Sequence, residues 1–561
     1  MVLNGGVMPL AARALSLAAA ADKVSNVSVP ANLSTRVLLA DAYGYSMEPV
    51  WVEDYLKSDL ATNLMSHIAN VTGKPAPFRI GGNTADQTYL HPDLNVSSIS
   101  IPTPATAQYF NISPAWYDTW ANYFPEGTDL IYTLNLHVNA SAWANALAEA
   151  EAVHKALGDK LTLFELGNEI DHFISKGWRA QGWDVAQYTE QWRNITDQIL
   201  ATAWYQADPS PPKFQAAVFA DPPWVPDQQD ELDDFDIVNL TSSTANAAGA
   251  LVDPALISSY AVHLYPQSTC DTERWYRMRL DLLSNHTTLW LNVSQYGPQV
   301  AAADAAGAPL VLGETNSVSC SGRSGISDTF GAALWTVDYV LLAASAGIAK
   351  TYFHLGAQSE YSAFVPVPYD YKGESLQPGI RPPFYAHFFL AHVLARPNNN
   401  NNSTASSTLS IAALPQANAS DLSGYAVFSD GAAAAAAAAE AQQLQKLVFL
   451  DMGVWNGTRG LSNPSTLSAT DGTHFSNGTR PTRQLNAATT WAEGAAVSVV
   501  RLSAPGTNAK SEVGVGGATF DPATGALVGE VRAETVTVGV GGVVSVEMVR
   551  AEAVLLELVD G

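Results

Sequence analysis

Two apolar runs in this chain end in residues that could do acid–base chemistry. The segment "LFELGNEID" (residues 163–171) stops at Asn168 and Glu169, and "LGETNS" (residues 312–317) carries Glu314. Burying a charged carboxylate costs several kcal/mol unless it is paired or put to use. Each glutamate is therefore either a satisfied structural acid, such as a helix cap, or a working group. The elements that carry these residues decide between the two.

Eight short apolar runs recur along the N-terminal two-thirds of the chain. Continuous runs of this kind are typical of parallel strands covered on both faces, and helix-length segments such as "SAWANALAEAEAVHKAL" lie between them. The pattern predicts a (β/α)8 TIM barrel. A doubly wound open sheet is the alternative, but no Gly-rich phosphate loop follows the first run. The runs are "RVLLADAYGYSME", "APFRIGGN", "DLIYTLNL", "LTLFELGNE", "KFQAAVFAD", "LISSYAVHLYP", "PLVLGETNS" and "AKTYFHLG".

The pattern changes after a last helical segment, "PPFYAHFFLAHVL". A polar stretch follows, and from about Leu409 short runs with a period of two, such as "GYAVFSD" and "KLVFLDMGV", predict an antiparallel β-sandwich. An Ala-rich run from Gly431 interrupts it as a surface-loop insertion. We expect a degraded signal peptide or N-terminal tail over residues 1–24, the barrel over 25–395 with its first strand joining the β-domain, a polar linker over 396–408 and the β-sandwich over 409–561.

The carboxyl ends of the predicted barrel strands collect polar side chains. Chemistry in a (β/α)8 barrel lies at this face. Hydrolysis of a glycosidic bond with retention needs two carboxylates about 5–5.5 Å apart, one as acid and one as nucleophile, with different pKa values. An asparagine directly before the acid can bind the sugar 2-hydroxyl. The strand-end residues that fit this chemistry are Glu48, Asn168, Glu169, His263, Tyr265 and Glu314.

Several motifs together resemble the fungal branch of glycoside hydrolase family 79, within the clan A retaining glycosidases. They are "FRIGGNTAD", "FELGNEID", "VHLYP", "GETNSVSCSGRSGISDTFGAALWTVDYVL" and "YFHLGAQSEYSAF". The resemblance covers nearly the whole chain after about residue 25. It implies that Glu169 is the acid/base, Glu314 the nucleophile and Asn168 the 2-hydroxyl partner. It also implies substrate-side positions for Glu48, His263, Tyr265 and Tyr361, and a β-domain that takes in an N-terminal strand such as "NVSVPANLS".

One departure from the family pattern concerns the carboxylate of a glucuronate. Many family members carry Tyr-Gly five residues after the nucleophile, where this chain has Ser319 and Cys320. Recognition of a glucuronate must then rely on other groups, for which Tyr361, Gly356 and backbone amides are the candidates.

Individual site residues also have structural interpretations. Arg79 can orient neighbouring carboxylates or touch the substrate, and His263 can be a satisfied core histidine. Asp86 and Asp171 are interpreted as loop or helix caps, and Tyr361 as either a loop-packing residue or a ligand contact. No His, Cys or Asp cluster has metal-ligand spacing in the sequence, and the family chemistry needs no metal or cofactor.

Composition and sequons indicate the compartment. The chain of 561 residues has 53 acidic and 28 basic residues, for a formal charge of −25, which argues against nucleic acid and other polyanions as partners. No apolar run after the N-terminus is long enough for a membrane span. About fifteen Asn-x-Ser/Thr sequons occur, far above average usage, and the N-terminus resembles an imperfect signal peptide. We expect a secreted, N-glycosylated protein.

The resemblance implies a retaining exo-β-glucuronidase that acts on plant or fungal glycans, such as arabinogalactan-type side chains, with or without 4-O-methylation. A heparanase-like endo-enzyme is one alternative, but a sulfated polymer needs a basic cleft. Another clan A β-glycosidase and a carbohydrate-binding protein without catalysis are further alternatives, although the latter would be expected to lack one carboxylate. The oligomeric state is left open.

Cys270 and Cys320 are the only cysteines. Two cysteines in an oxidising compartment usually pair. Cys270 follows predicted strand six and Cys320 follows strand seven, so their loops lie side by side at the mouth of the barrel. We expect a disulfide with a Cα separation of about 4.4–6.8 Å; two unpaired thiols are the alternative.

Overall fold

The computed structural model describes most of the chain. The N-terminal tail up to residue 22, nearly all of the predicted linker and the Ala-rich run lie outside the described residues. Those described are 23–30, 32–102, 108–137, 140–220, 235–242, 254–356, 358–396, 408–429, 442–468 and 474–559.

The regular elements alternate as the sequence predicts. The strands before the linker are β1 (Lys23–Ser28), β2 (Arg36–Leu38), β3 (Tyr43–Met47), β4 (Phe78–Ile80), β5 (Thr88–Leu90), β6 (Ser98–Pro102), β7 (Gln108–Ile112), β8 (Leu130–Leu134), β9 (Leu161–Leu166), β10 (Lys213–Phe219), β11 (Ile257–Leu264), β12 (Gln267–Ser268), β13 (Leu310–Thr315), β14 (Val318–Ser319), β15 (Thr351–Leu355), β16 (Phe364–Val365), β17 (Tyr369–Tyr371), β18 (Glu374–Leu376) and β19 (Gly379–Ile380).

The helices are α1 (Pro49–Leu56), α2 (Asp59–Thr72), α3 (Pro114–Asp118), α4 (Ala140–Leu157), α5 (Val185–Leu200), α6 (Ala203–Ala207), α7 (Ile237–Thr241), α8 (Leu280–Leu283), α9 (His286–Ser294), α10 (Gly297–Ala305), α11 (Phe330–Ala346) and α12 (Pro382–Leu394). The strands after the linker are β20 (Leu409–Ala419), β21 (Leu422–Ser429), β22 (Gln443–Asp451), β23 (Thr482–Ala488), β24 (Ala496–Ser503), β25 (Gly514–Val515), β26 (Thr519–Phe520), β27 (Leu527–Val528), β28 (Glu534–Thr537), β29 (Val543–Val549) and β30 (Glu552–Leu558).

Eight parallel strands close into a barrel, which confirms the predicted fold. In order around the barrel they are β3, β4, β8, β9, β10, β11, β13 and β15, and β15 pairs with β3. Each lies within one of the eight apolar runs. The strands are buried on both faces, because side chains fill the interior and helices cover the outside.

The first apolar run divides between the two domains, a detail that the sequence interpretation does not anticipate for this run. Its first part forms β2, which pairs with β20 of the C-terminal sheet, and only its second part forms β3 of the barrel. The chain turns near Asp41, whose buried carboxylate lies 2.7 Å from the ammonium groups of both Lys74 and Lys350. A continuous run of apolar letters does not reveal this turn.

In the described residues, the C-terminal domain has two main sheets and the small hairpin sheet β26-β27, and this β-domain agrees with the predicted fold class. The larger sheet has the order β2-β20-β21-β22-β30-β24-β25, with β28 also on β24. The smaller sheet has the order β1-β23-β29, with β1 parallel to β23. Buried apolar residues from facing sides of the sheets, among them Val27, Phe449 and Val546, form a common core.

The second face of the larger sheet packs on the barrel through α11 and α12. These helices are apolar around nearly their whole circumference because they lie between the two domains. Tyr425 of β21 donates a hydrogen bond of 2.6 Å to Asp338 of α11, which His286 of α9 contacts at 2.8 Å.

Within the described part of the chain, no helix combines the length and hydropathy needed to cross a membrane.

Candidate active site

The ends of β9 and β13 bring the two predicted catalytic glutamates together. Glu169 follows β9 just after Gly167, and both have left-handed backbone, with φ of 52° and 76°. A Cβ on Gly167 would lie 2.9 Å from the side chain of Ile170, so the tight turn requires glycine. Glu314 lies near the end of β13. One ligand atom each from Glu169, Glu314 and His263 all lie within 4.8 Å of one another.

Glu314 is held by two hydrogen-bond donors, one on each oxygen. The Tyr265 hydroxyl donates to Oε1 at 2.7 Å, and Nη1 of Arg79 donates to Oε2 at 2.9 Å. Burial raises the pKa of Glu314, but the charges of His354, His263 and Arg79 outweigh burial and lower the pKa below its usual range. Glu314 is therefore ionised and fixed in orientation, as a nucleophile requires.

Arg79 is fully buried and joins both halves of the site. Its Nε donates to Glu165 at 2.7 Å, and its Nη2 donates to the side-chain oxygen of Asn168 at 2.8 Å. Glu165 is further held by the Thr133 hydroxyl at 2.6 Å. The guanidinium thus orients Glu314 and Asn168 from behind.

Asn168 presents one amide hydrogen-bond donor with no protein partner. Its side chain is fully buried, and Nδ2 has no hydrogen-bond partner among the described residues. Its oxygen is fixed by Arg79, and its backbone N–H donates to Asp86 at 2.8 Å. A buried donor without a partner is costly, so it is available for a ligand hydroxyl.

Two histidines contact Glu169. Nδ1 of His263 lies 3.1 Å from Oε1 of the carboxylate, and Nδ1 of His172 lies 3.7 Å from Oε2. Burial raises the pKa of Glu169, but the polar contacts with His172 and His263, and the charges of these two rings, outweigh burial and hold the pKa well below its usual range. The carboxyl is therefore ionised in the ligand-free site, unlike a resting general acid.

Glu48 is bound by the loop that follows β4. It accepts hydrogen bonds from the backbone N–H groups of Asn83 and Thr84, at 3.0 and 2.7 Å. A Cβ on Gly82 would lie 2.5 Å from the Glu48 carboxyl carbon, and Gly82 has a φ of 121°. Burial, with repulsion from Glu314, raises the pKa of Glu48 to about 7. Gly82 of "FRIGGNTAD" makes room for this carboxylate.

The predicted sugar-contacting residues include two neighbouring tyrosines and Gly356, whose backbone N–H already has a protein partner. The rings of Tyr265 and Tyr361 lie 6.3 Å apart, between their centroids. Burial raises the pKa of Tyr361 well above its usual range, and nearby Glu314 and Glu48 add to the shift. The backbone N–H of Gly356, in contrast, already donates to the Ser362 hydroxyl at 2.9 Å.

Sequence reasoning missed three residues that support the site: Glu165, His172 and His354. Nδ1 of His354 lies 3.5 Å from Glu314 and 3.1 Å from the Ser46 hydroxyl. Glu165 and His354 stand inside apolar strands, and a charged letter within such a run is the signal that could have found them. His172 lies in the 3₁₀ turn Ile170–Phe173 and carries no comparable signal.

The interpretation of Asp86 and Asp171 as loop-stabilising residues agrees with their contacts. Asp86 accepts hydrogen bonds from the backbone N–H groups of Leu136 and Asn168, both at 2.8 Å. Asp171 accepts one from the backbone of Ala220 at 2.8 Å. Both carboxylates fix strand-end loops around Glu169.

Of the residues that the structure describes, Glu169, His263 and Glu314 also form the group whose spacing could suit a metal ion. Arg79 already places a positive charge 2.9 Å from Glu314. That charge opposes a second cation at the same carboxylate.

The disulfide predicted between Cys270 and Cys320 is confirmed. The two Cα atoms are 6.0 Å apart. The bridge joins the loops after β11 and β13, where β12 and β14 also pair as a short parallel extension.

Comparison with known proteins points to one family. The family model for the "glycosyl hydrolase family 79 C-terminal beta domain" matches residues 424–555. A β-glucuronidase from Neurospora crassa is 27% identical over 439 residues, which is 74% of this chain and 73% of that protein. A β-glucuronidase from Aspergillus niger is 28% identical over 353 residues, or 60% of each chain.

Solved structures share the whole fold. A 4-O-α-L-rhamnosyl-β-D-glucuronidase from Fusarium oxysporum superposes with a TM-score of 0.72 at 22% identity, over 95% of this chain and 100% of that one. A GH51 arabinofuranosidase from Xanthomonas axonopodis pv. citri gives 0.55 at 11% identity, over 96% and 100%. These two likenesses concern the fold alone.

The barrel, the facing glutamates and the curated relatives define a glycoside hydrolase. The β-domain match and both fungal relatives narrow the class further. Residues 424–555 match the C-terminal β-domain of glycoside hydrolase family 79, and the chain is similar to two fungal β-glucuronidases.

Proposed function

We propose that this chain is a secreted exo-β-glucuronidase that removes a terminal β-linked glucuronic acid with retention. The observation that carries the proposal is the proximity of Glu169 and Glu314, whose nearest carboxylate oxygens lie within 4.8 Å. This separation suits the nucleophile and acid of a retaining enzyme, about 5–5.5 Å apart, and leaves less room than an inverting enzyme needs for a water molecule. The two curated relatives are named β-glucuronidases, which supports the substrate class.

Glu314 is the proposed nucleophile. Its low pKa keeps it ionised, and the hydrogen bonds from Arg79 and Tyr265 direct it without neutralising it by proton transfer. Attack on the anomeric carbon forms a covalent glycosyl ester and releases the aglycone oxygen. The free donor of Asn168 binds the 2-hydroxyl, and this bond strengthens as charge develops on the sugar ring.

Glu169 is the proposed acid/base, and its proton depends on the charges around it. An anionic glucuronate adds negative charge to a site that already holds Glu48 and Glu314, which favours the protonated form of Glu169. Glu169 gives this proton to the departing aglycone oxygen as Glu314 attacks. Once Glu314 is an ester its negative charge has disappeared, so Glu169 stays ionised. Glu169 can then activate the water that hydrolyses the ester.

Recognition of the glucuronate carboxylate uses groups other than the Tyr-Gly pair of other family members. Ser319 donates to the hydroxyl of Ser268 at 2.8 Å, and the Gly356 amide is bound by Ser362. Tyr361 is the remaining candidate, because its ring lies beside Tyr265 and its phenol stays protonated. We propose that its hydroxyl donates to the substrate carboxylate.

Secretion is supported by the disulfide and by the positions of the sequons. Of the sequon asparagines that the structure describes, none is buried; seven are exposed, and five are partly exposed. Attachment of a glycan needs such an accessible position. The exposed ones are Asn26, Asn32, Asn70, Asn95, Asn194, Asn418 and Asn477.

The experiment that tests the activity compares the 4-nitrophenyl β-glucuronide, β-glucoside and β-galactoside, with Glu314→Ala as the inactive control. We expect turnover of the glucuronide alone, and NMR should show the β-anomer as the first product. A preference for either neutral glycoside would overturn the proposed substrate, and an α-anomer formed first would overturn retention.

A further inference from the structure

Two neighbouring aromatic side chains are exposed at the catalytic end of the barrel. Trp275 is 53% exposed and Tyr276 is 66% exposed. Both lie on the 3₁₀ helix Thr272–Arg277, in the loop of residues 270–279 that begins at the disulfide. We call this segment the aromatic loop. The core does not use these rings, and adjacent exposed aromatics at a site often mark a binding surface.

The aromatic loop is anchored to the strands that carry the site. The indole N–H of Trp275 donates to the Thr269 carbonyl at 3.2 Å, and the Thr269 hydroxyl donates to the Cys320 carbonyl at 3.0 Å. Thr269 is four residues beyond Tyr265, which contacts Glu314. At about 3.3 Å per extended residue, the anchor lies within ~13 Å of that contact. This is the reach of a short oligosaccharide.

The loop also joins the wall of the sugar site. Directly after Cys320, the Ser321 carbonyl accepts a hydrogen bond of 2.6 Å from the backbone N–H of Glu360. Glu360 precedes Tyr361, the proposed contact of the glucuronate carboxylate. The disulfide and this hydrogen bond therefore connect the aromatic loop to the segment that carries Tyr361.

Both rings are fixed before any ligand binds. The Trp275 indole is oriented by its bond to Thr269. The guanidinium of Arg277 lies 5.4 Å from the centroid of the Tyr276 ring, and its Nε donates to the Tyr276 hydroxyl at 2.9 Å. Rigid aromatic side chains lose little conformational entropy when they bind, so a flat ligand gains contact area at low cost.

We propose that Trp275 and Tyr276 form a binding platform for the sugar residues on the aglycone side of the bond that is cleaved. The apolar C–H face of a pyranose ring packs on an aromatic face, whose partial negative charge favours it. Stacking of this kind recognises the face of the sugar ring more than the pattern of its hydroxyl groups. The inference rests on the proposed function, because it assigns the leaving part of the substrate.

The test compares a short and a long substrate. The variants are Trp275→Ala and Tyr276→Ala. The matched control is Trp290→Ala, because Trp290 is also an exposed tryptophan, with 44% of its surface exposed, but it lies on α9 and outside the aromatic loop. The substrates are 4-nitrophenyl β-glucuronide and β-(1→6)-galactotriose with a terminal β-glucuronosyl residue. In both loop variants, we expect kcat/KM for the oligosaccharide to fall about tenfold, mainly because KM rises. This factor corresponds to the loss of one stacked sugar contact of ~1.4 kcal/mol. Turnover of the nitrophenyl substrate should stay within about twofold of wild type.

Equal kcat/KM of wild type and both loop variants on the oligosaccharide would overturn the platform and leave the proposed function standing. A parallel loss on both substrates would also overturn it, because that result indicates a structural role. If the wild type cleaves neither glucuronide, the proposed function fails, and calorimetry with galactotriose alone then decides the platform. The platform is supported if Trp275→Ala binds galactotriose more weakly than wild type while Trp290→Ala binds it as wild type does. The platform is overturned if all three proteins bind galactotriose equally, or if wild type does not bind it at 10 mM.

Discussion

Arg79 is the residue that makes one site out of side chains from several strands. Its guanidinium contacts Glu314, Glu165 and Asn168, all within 2.9 Å, and it is fully buried. A planar fork of donors can satisfy three partners at once, which a lysine ammonium cannot do with the same geometry. The proposed nucleophile, Glu314, and the proposed 2-hydroxyl donor, Asn168, therefore depend on a residue that does not itself need to touch the sugar.

We predict that Arg79→Ala lowers kcat about 100-fold, because Glu314 and Asn168 lose their orientation. The variant should also lose about 3–5 kcal/mol of unfolding free energy, since Glu165 stays buried without its partner. Steady-state kinetics and urea denaturation measure the two effects. Arg36→Ala is the control, because its ion pair with Asp304 is exposed and contributes little. A kcat within tenfold of wild type would contradict the positioning role.

At the same scale, the sequence predicted which carboxylates meet but only some of the side chains that surround them. Glu169 and Glu314 were placed by the rule that barrel strands present their carboxyl ends to one face. The contacts of His354 with Glu314 and of His172 with Glu169 depend on side-chain directions and on a 3₁₀ turn. No period in the sequence encodes those directions. The low pKa of Glu169 in the ligand-free site follows from His172, which the sequence did not reveal, together with His263, which it did.

Among the elements, the barrel strands were predictable because each is an apolar run bounded by polar loops. The exception is the run that divides into β2 and β3. Both halves are apolar, and only the turn at Asp41 separates β2, which joins the C-terminal sheet, from β3, which joins the barrel. The alternating run "TVTVGVGGVVSVEMV" likewise contains two strands, β28 and β29. Gly541 and Gly542, with φ of 71° and 77°, form the turn between them.

The loops after β11 and β13 act as one element because the disulfide joins them. We predict no titratable thiol in the native protein, and one in Cys270→Ser. The unfolding free energy of the double variant Cys270→Ser/Cys320→Ser should be about 2–4 kcal/mol lower than that of wild type. The reason is that the disulfide joins residues 50 positions apart and so restricts the unfolded chain. Thiol titration and thermal unfolding provide the measurements. Two reactive thiols in the native wild type would contradict the prediction.

For the whole molecule, the contact between barrel and β-domain contains buried charges. Lys510 of the β-domain lies 2.8 Å from Asp328 of the barrel, and Glu360 is buried close to both. Neither carboxylate oxygen of Glu360 has a hydrogen-bond partner in the described part of the chain. Burial, with repulsion from Asp328, raises the pKa of Glu360 to about 7. Glu360 therefore stays protonated in folded protein at acidic pH.

We predict that Glu360→Gln changes the pH dependence of stability. The folded state binds a proton that the unfolded state releases near its usual pKa of 4.5, so wild type loses stability as pH rises from 4.5 to about 7. The variant should match wild type near pH 4 and exceed it by up to about 3 kcal/mol at pH 8. Comparison with wild type is needed because buried His387 and His392, with pKa values lowered to about 3 and 4, shift stability in the opposite sense.

Urea denaturation at several pH values measures the difference. Glu374→Gln is the control, because Glu374 is exposed and hydrogen bonds from Ser468 lower its pKa. This control should show no gain at alkaline pH. A constant difference between Glu360→Gln and wild type across the range would contradict an ionisable Glu360 in the domain contact.

The central claim is that Glu169 is the acid/base and Glu314 the nucleophile of a retaining β-glucuronidase. The most direct measurement is hydrolysis of 4-nitrophenyl β-glucuronide by Glu169→Ala, with and without azide. The good leaving group needs little protonation, so the first step should proceed, and azide should accelerate release of the glycosyl ester and give β-glucuronosyl azide. An α-azide from Glu169→Ala, or identical behaviour of Glu169→Ala and Glu314→Ala, would contradict the account.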